Sequence, residues 1–404
     1  MFLIYIIDGS NHFKYNGSSL NDGKVIGGSE SALIYMAKAL NRKFNNSQTK
    51  IKVFCNLEGE SGKIYDGVEY YSSELDLTNI TEQPDILIIQ RGFYFFNWLT
   101  IHNIKGKYLN ILWLEDNIHC DYLVSDYGKK TLNTLFKNNI IDIVITLSDH
   151  HTIGFKNRSI KNNNYDYKIY LSRNGIENPF NFNEISEYNN IKEDRYQIIY
   201  PSTYERGLEN LVSFFPIIRK EINSNIHLEC FSYSEYGNKY VKDKKIDKID
   251  GINVNNGLSK KELWKQWKKS RLFIYFGYPS SETSCITIME GIANSKITIH
   301  NKHSAVEETG YCGIGIPHYY NEKLFLNNFL SILDKVINDD NFYQNHIKDY
   351  KRITEILSYN TIAYEWLCYF DYLINNNIHE DAIKSELEYN KFFNRRMINY
   401  DIIY

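Results

Sequence analysis

The chain has 404 residues, 43% hydrophobic and 24% charged, and 46 basic against 49 acidic residues leave a net charge of −3. That length accommodates two domains with separate cores, and that charge balance carries no global footprint for nucleic acid, so no nucleic-acid partner is expected. No run approaches the roughly 18 apolar residues of a membrane span, and six cysteines scattered without C-x-x-C pairs read as buried reduced thiols rather than a zinc or disulfide framework.

The amino-terminal "MFLIYIIDGS" is apolar for seven residues, lacks a basic n-region and meets Asp8 at once. It reads as a first strand and not a signal peptide, which makes a cytoplasmic location the expectation. Strand-like runs then alternate with helical patterns: a helix over 29–44, "IKVFCN", "DILIIQ", "YLNILWL", a helix over 129–137, "IDIVITLS" and "YKIYLSRNG". In the first helix, Leu33, Met36, Ala37, Leu40 and Phe44 mark one face. Such alternation implies a parallel sheet covered on both faces. The Asn-rich stretch over 178–194 reads as a linker. The pattern restarts with "YQIIYPS", a helix from Gly207 to about Ile222, "IHLECFSY", the helix "KKELWKQWKKS" and the strand "RLFIYFGYP", and from Asn321 onward it is mostly helical. The expected domains are 1–178, 179–360 and a helical segment over 361–404 packing back on the first. Two doubly wound halves facing each other create a cleft, the default ligand site.

The chemistry concentrates in "SETSCITIMEGIANSKITIH", over 281–300. Ile286, Met289, Ile292 and Ala293 give an apolar stripe on a helix between two strands. Glu282 stands just ahead of that helix, and Thr283 and Ser284 offer N-cap chemistry. Free N–H groups at such a helix start form an anion site. Glu290 follows two to three turns later, so both carboxylates could line one crevice above the carboxyl ends of a parallel sheet. Carboxylates beside an anion site suit a ligand with both phosphate and hydroxyls, such as a sugar phosphate. A second stretch, "YPSTYERGLENL", sets Arg206 beside a helix opened by Gly207. A guanidinium there can bond two diphosphate oxygens, although a surface arginine capping its own loop would look the same. In "GKVIGGSESAL", Gly27 and Gly28 permit close backbone approach and Ser29 can cap the next helix, yet bare Gly-Gly turns are common. "WLEDNIH" brings Glu115, Asp116 and His119 to the end of a strand, where they could meet a substrate or serve structure. The adjacent His150 and His151 point apart on either a strand or a helix, and no third ligand is suggested nearby, so no metal is expected. In "KKELWKQWKKSR", Leu263, Trp264 and Trp267 read as a buried face with solvated lysines opposite, and membrane docking is the lesser alternative.

Taken together, "YPSSETSCITIMEGIANSKITI" with its E-x₇-E spacing, "GGSESALIYMAKAL", "RNGIE" over 173–177 and "STYERGLENL" resemble, in this order, the large family of retaining glycosyltransferases called family four, or group 1. The resemblance spans roughly residues 20–310. It implies the GT-B fold: two Rossmann-like doubly wound α/β domains facing across a cleft, with a helical carboxyl-terminal extension. It also implies transfer of a sugar from a nucleotide-diphosphate donor to an acceptor hydroxyl with retention, without a metal or other cofactor. By the same resemblance Glu282 faces the donor sugar and Glu290 the ribose. Arg206 and the backbone of Thr283, Ser284, Cys285 and Ile286 would hold the diphosphate, closed over by Gly27 and Gly28, with Ser202 also on the donor side.

Two departures stand out. Relatives often carry a basic residue about five positions before the Arg206 equivalent, where this chain has Pro201 and Ser202. They also often carry His-Asp where this chain has Glu115 and Asp116, leaving that role to His119 or to no residue. A non-catalytic binding relative, a nucleotide-sugar epimerase and a phosphorylase are the alternatives, and the missing glycine fingerprint after "FLIYII" disfavours a nicotinamide dehydrogenase. The sequence leaves open the sugar, the choice among UDP, GDP and ADP, the acceptor (glycan, glycoprotein or small molecule) and the oligomeric state.

Overall fold

The computed structural model describes all residues except 1, 11, 42, 45–46, 74, 117–122, 124, 160–167, 178–187, 189, 233–234, 279–281, 318–321 and 394–404. His119 and most of the expected linker lie outside the described residues.

The apolar runs become strands in chain order. The first sheet comprises β1 (Leu3–Asp8), β4 (Lys50–Cys55), β5 (Lys63–Tyr65), β6 (Val68–Ser72), β7 (Ile86–Gln90), β8 (Leu109–Trp113), β9 (Ile143–Thr146) and β10 (Lys168–Leu171); β2 (Lys43–Phe44) and β3 (Ser47–Gln48) form a separate short hairpin. Every residue of β1, β7 and β9 is buried, as expected of strands covered on both faces by helices. The order is β10-β9-β8-β7-β1-β4-β6-β5, parallel except for β5, which pairs antiparallel with β6. The second sheet comprises β11 (Gln197–Tyr200), β12 (His227–Ser232), β13 (Ile252–Asn256), β14 (Leu272–Tyr275), β15 (Ile297–Asn301) and β16 (Ile314–Ile316), all parallel, in the order β13-β12-β11-β14-β15-β16. In each sheet the winding reverses once, between β1 and β7 and between β11 and β14. Ligands of open α/β sheets bind in the crevice that opens at such a reversal.

The first helix runs over Gly28–Leu40, shorter than the 29–44 expected, and the chain then enters the β2–β3 hairpin, so Phe44 belongs to a strand. Short edge pieces such as β5 carry too few residues for a period-2 signal. Beyond β16, the helices Glu322–Asn338, Asp340–Ile347 and Tyr350–Ile356 bury Phe329, Leu333, Tyr343 and Ile353 in the core of the second sheet. The helix Tyr359–Asn375 instead buries Ile362, Trp366 and Phe370 in the core of the first. There Trp366 meets Trp113 edge-on at 5.1 Å, and Tyr369 stacks on Tyr170 at 4.4 Å.

The chain thus crosses between halves twice, near residue 174 and near residue 358, and the two crossings bond each other. Ile176 N–H donates to the Leu357 carbonyl at 3.0 Å, and Tyr359 N–H donates to the Ile176 carbonyl at 3.2 Å. Arg173, only 1% exposed, completes the tie: Nη1 and Nη2 meet the two Glu365 carboxylate oxygens at 2.8 and 3.0 Å, and Nη2 also reaches the Ile356 carbonyl.

Candidate functional site

The two reversal points face each other, and the cavity between them, about 370 Å³, lies within the range of small-ligand sites. Its lining includes every candidate donor-side residue: Gly27, Gly28, Ser202, Arg206, Glu282, Thr283, Ser284, Cys285, Ile286 and Glu290, together with Glu115 and Asp116 from the first half. On the second-sheet side the loop after β11 and the loop after β14 touch. Gly207 adopts φ +111°, and a Cβ there would lie 2.3 Å from the Phe276 carbonyl oxygen. No side chain can give way at that contact. Gly207→Ala is therefore expected to cost about 1–3 kcal/mol of stability from backbone strain alone, read as a lowered urea midpoint. An unchanged midpoint would mean that these loops do not meet as described.

Two helices begin at this cavity without a side-chain cap, and a third begins just outside its lining, directly after Arg206. The Gly28–Leu40 helix has Gly27 at its N-cap, Ile286–Ala293 has Cys285, and Leu208–Glu221 has Gly207, and none makes a capping hydrogen bond. This corrects the expected capping by Ser29 and by Thr283 or Ser284. Ser29 lies inside its helix, and both other hydroxyls face the opposite domain: Thr283 Oγ1 donates to the Glu115 carbonyl at 2.9 Å, while Ser284 Oγ accepts from Asn174 N–H at 3.4 Å. A helix start without a cap leaves N–H donors for another partner, and the aligned peptide dipoles favour an anion there. Gly28 and Ile286 are neighbours, since a Cβ on Gly28 would stand 3.6 Å from Ile286 Cδ1, so two of these starts share one space.

The charged groups are arranged in pairs around that space. Glu282, 6% exposed, accepts from Arg206 Nη1 at 3.0 Å and from the buried Tyr275 hydroxyl. Burial, with Glu282 as the next cause, pushes the Tyr275 hydroxyl far above its ordinary range, so it stays a donor. Glu290, also 6% exposed, pairs with Lys260. Lys260 was expected on the solvated face of its amphipathic helix; the helix forms over Lys260–Lys269 and buries Trp264 and Trp267, but its first lysine turns into the cavity, and Leu263 is only partly buried and lines it. On the first-sheet side Arg91 meets Asp116 at 2.7 Å and Glu30 at 3.5 Å. Arg91 has φ +71°, and Gly92 beside it packs against Gly9 so closely that a Cβ would lie 2.5 Å from the Gly9 carbonyl oxygen. Strained backbone of this kind collects at sites where a side chain must be aimed.

Glu115 differs from the other acids. It is 7% exposed, Asn174 Nδ2 donates to its Oε2 at 3.0 Å, and its Oε1 has no hydrogen-bond partner. Burial pushes its carboxyl up to about 8 from 4.5. Its contribution to stability is complete below the ordinary carboxyl value and is lost as pH rises through about 8. Of the adjacent histidines, His151 is built into the core: it is buried, accepts from Leu147 N–H through Nδ1 at 3.3 Å, and burial holds it neutral, lowered to about 3. Among the described residues no group of three His, Cys, Asp or Glu side chains could hold a metal ion, and no helix is long and apolar enough to cross a membrane.

The sequence reading missed Glu30, Arg91, Asn174 and Lys260. For Arg91 and Asn174 a local signal existed, since each directly follows a strand or its extension in "QRG" and "SRNG".

No family model matches the chain, and no curated protein sequence matches it significantly. Solved structures do. Sucrose-phosphate synthase from Thermosynechococcus elongatus superposes with a TM-score of 0.66 at 11% identity, covering 93% of this chain and 100% of its own. HepE from Anabaena, solved in complex with UDP and glucose, gives a TM-score of 0.63 at 13% identity, covering 91% of this chain and 98% of its own. WaaG, a glycosyltransferase involved in lipopolysaccharide biosynthesis, gives a TM-score of 0.60 at 10% identity, covering 93% and 100%. These structures and this chain share two facing, mostly parallel α/β sheets and a helical carboxyl-terminal region: the chain has the GT-B fold.

Proposed function

We propose that this chain is a glycosyltransferase that moves a sugar from a nucleoside diphosphate to an acceptor hydroxyl with retention of anomeric configuration and without a bound metal. The observation that carries the proposal is the convergence of two uncapped helix starts and Arg206 on a cavity that also presents Glu282 and Glu290. A diphosphate needs N–H donors and a guanidinium, and the sugar and ribose hydroxyls need carboxylate acceptors. The similar HepE structures hold UDP and glucose or UDP-glucose, which supports a nucleotide-sugar ligand in a fold of this kind.

In the proposed step the bond between the anomeric carbon and the diphosphate oxygen breaks and both electrons leave with the diphosphate. Arg206 and the N–H groups at Ile286 and Thr287 stabilise that charge from fixed positions, the form of catalysis that contributes most in such sites. Lys260 supplies a second cation in place of the basic residue missing at Pro201 and Ser202. Glu282 orients the sugar through its hydroxyls, with Tyr275 fixing the carboxylate. The acceptor hydroxyl attacks from the face the diphosphate leaves, and a departing phosphate oxygen takes its proton. The acceptor enters from the first-sheet side, past Arg91 and Asp116. No charge in this scheme requires a divalent cation or another cofactor, and the location proposed is the cytoplasm.

Thermal shift with UDP, GDP and ADP in the presence of EDTA tests the donor side. One of the three is expected to stabilise the wild type selectively, with the shift lost in Arg206→Ala. Equal absence of response from all three would favour a carbohydrate-binding protein without nucleotide chemistry.

A further inference from the structure

The two halves also meet away from the cavity. Helix Asp149–Ser159 follows β9, one strand in from the β10 edge of the first sheet, and helix Ser304–Thr309 follows β15, one strand in from the β16 edge of the second. The first of these helices is capped at one place by its own domain. Ser148 Oγ accepts from His151 N–H at 3.1 Å, and the Ser148 carbonyl accepts from Thr152 N–H at 2.9 Å, the geometry of an N-cap. The N–H of Asp149, the first helical residue, donates instead across the domain boundary to Glu308 Oε2 at 2.7 Å. A carboxylate in that position gains a charge-assisted hydrogen bond and the favourable end of the peptide dipoles.

Both ends of this contact are held from behind. In Ser304–Thr309, Ala305, Val306 and Thr309 are buried, which turns Glu307 to solvent and leaves Glu308 half-buried at the boundary. Ahead of that helix, His303 Nε2 lies 2.7 Å from the Gly277 carbonyl oxygen. Behind it, Gly310 packs so tightly on His300 that a Cβ would lie 2.5 Å from the ring. On the other side His151 is buried, and the Thr146 and Thr152 hydroxyls bond each other at 2.6 Å. Carboxylate and amide therefore meet with little conformational freedom left to lose, so most of the bond's free energy can act between the halves. Asp149 and Glu308 also stand outside the cavity lining, whereas Thr283 and Glu115, which bond across the cleft, belong to it. A ligand in the cavity would compete with the second contact and not with the first.

Domains within one chain move relative to each other unless a contact holds them. We propose that Glu308 is an interdomain latch that keeps the ligand-free cavity closed by accepting the first N–H of the Asp149–Ser159 helix. Glu308 acts through position alone: it sets the half that carries Arg206 and Glu282 against the half that carries Arg91 and Asp116. Loss of a hydrogen bond to a charged group of this kind shifts the equilibrium between closed and open forms about 10- to 100-fold toward open.

The test uses the full chain without ligand and reads the distance between dyes at Asp126 and Lys239, exposed positions on opposite halves, by single-molecule energy transfer. Wild type is expected to show one short distance. Glu308→Ala removes the acceptor, and Asp149→Pro removes the donor while supplying a residue that the first helical position favours. Each is expected to add a longer-distance population, with the open form about 10- to 100-fold enriched over wild type. Asp149→Ala keeps the N–H and is expected to match wild type, and Glu308→Gln, a neutral acceptor, is expected to fall between wild type and Glu308→Ala. The double variant Asp149→Pro with Glu308→Ala is no more open than either single one, because both remove the same bond. Circular dichroism checks the fold of each variant, and if Asp149→Pro does not fold, the comparison of Glu308→Ala with Glu308→Gln decides. A long distance in wild type, an unchanged distance in Glu308→Ala, Asp149→Ala as open as Asp149→Pro, or additive opening in the double variant overturns the latch. A second readout rests on the proposed transfer function: nucleoside diphosphate should dissociate about 10- to 100-fold faster from Glu308→Ala than from wild type. Wild type that binds no nucleotide defeats the transferase proposal, while the ligand-free distances still decide the latch.

Discussion

Replacing Arg206 with alanine is expected to lower kcat/KM for the nucleotide sugar by about 10²- to 10³-fold, the usual loss when one preorganised donor to a developing negative charge is removed. Fold stability should hardly change. The Arg206 side chain is 45% exposed, and an ion pair in that setting contributes about 1 kcal/mol or less. The combination is diagnostic: steady-state kinetics collapse while the urea midpoint stays in place. Arg206→Lys should recover only part of the activity, because an ammonium is a point charge and cannot present two parallel N–H groups to two phosphate oxygens. A variant that is both inactive and unfolded would instead make Arg206 a structural brace for Glu282.

Arg173→Met is expected to do the opposite, costing about 3–5 kcal/mol of stability, because it leaves the Glu365 carboxylate buried without its counter-charge. The Arg173 and Glu365 side chains are only 1% and 2% exposed, joined by two hydrogen bonds, and the guanidinium also lies over the Tyr389 ring at 4.2 Å. Chemical denaturation would read the loss. A double variant, Arg173→Met with Glu365→Leu, should recover most of it, since replacing a whole buried pair with apolar groups of similar volume is often close to neutral. If the double variant is no more stable than the single one, the two residues are not coupled as described. Because this pair ties together both crossings between the halves, its loss should also weaken the closure of the cavity.

The strand and helix order was legible because central parallel strands must be apolar on both faces. Runs such as "IDIVITLS" have no other comfortable place in a globular protein of this length. The E-x₇-E stretch was legible for a similar reason: carboxylates beside small residues at a helix start are hard to place in a core. Capping was not legible. Ser29, Thr283 and Ser284 are good cap residues by type, but the interdomain contacts of Thr283 and Ser284 take their hydroxyls elsewhere, and no local pattern announces a contact with Glu115 or Asn174, over 100 residues away. A separation of 30 residues from Glu290 hid Lys260. Its helix is amphipathic by pattern, and only the meeting of that helix start with Glu290 turns one of its lysines from solvent to ligand site. Arg173 belongs to the "RNGIE" motif at the crossover, yet its partner Glu365 lies 192 residues downstream. Elements follow from local periodicity, whereas pairings across a cleft follow from topology.

The most direct test of the central claim is incubation of the wild-type protein with each of UDP-, GDP- and ADP-sugars in EDTA, with an alcohol or simple glycoside as acceptor. Nucleoside diphosphate release and the anomeric configuration of the sugar product are then read by NMR. The account predicts release from one donor class without added metal, a product with the donor's own anomeric configuration, and loss of both in Glu282→Gln. Release that requires a divalent cation, a product of inverted configuration, or no turnover of any donor would contradict it.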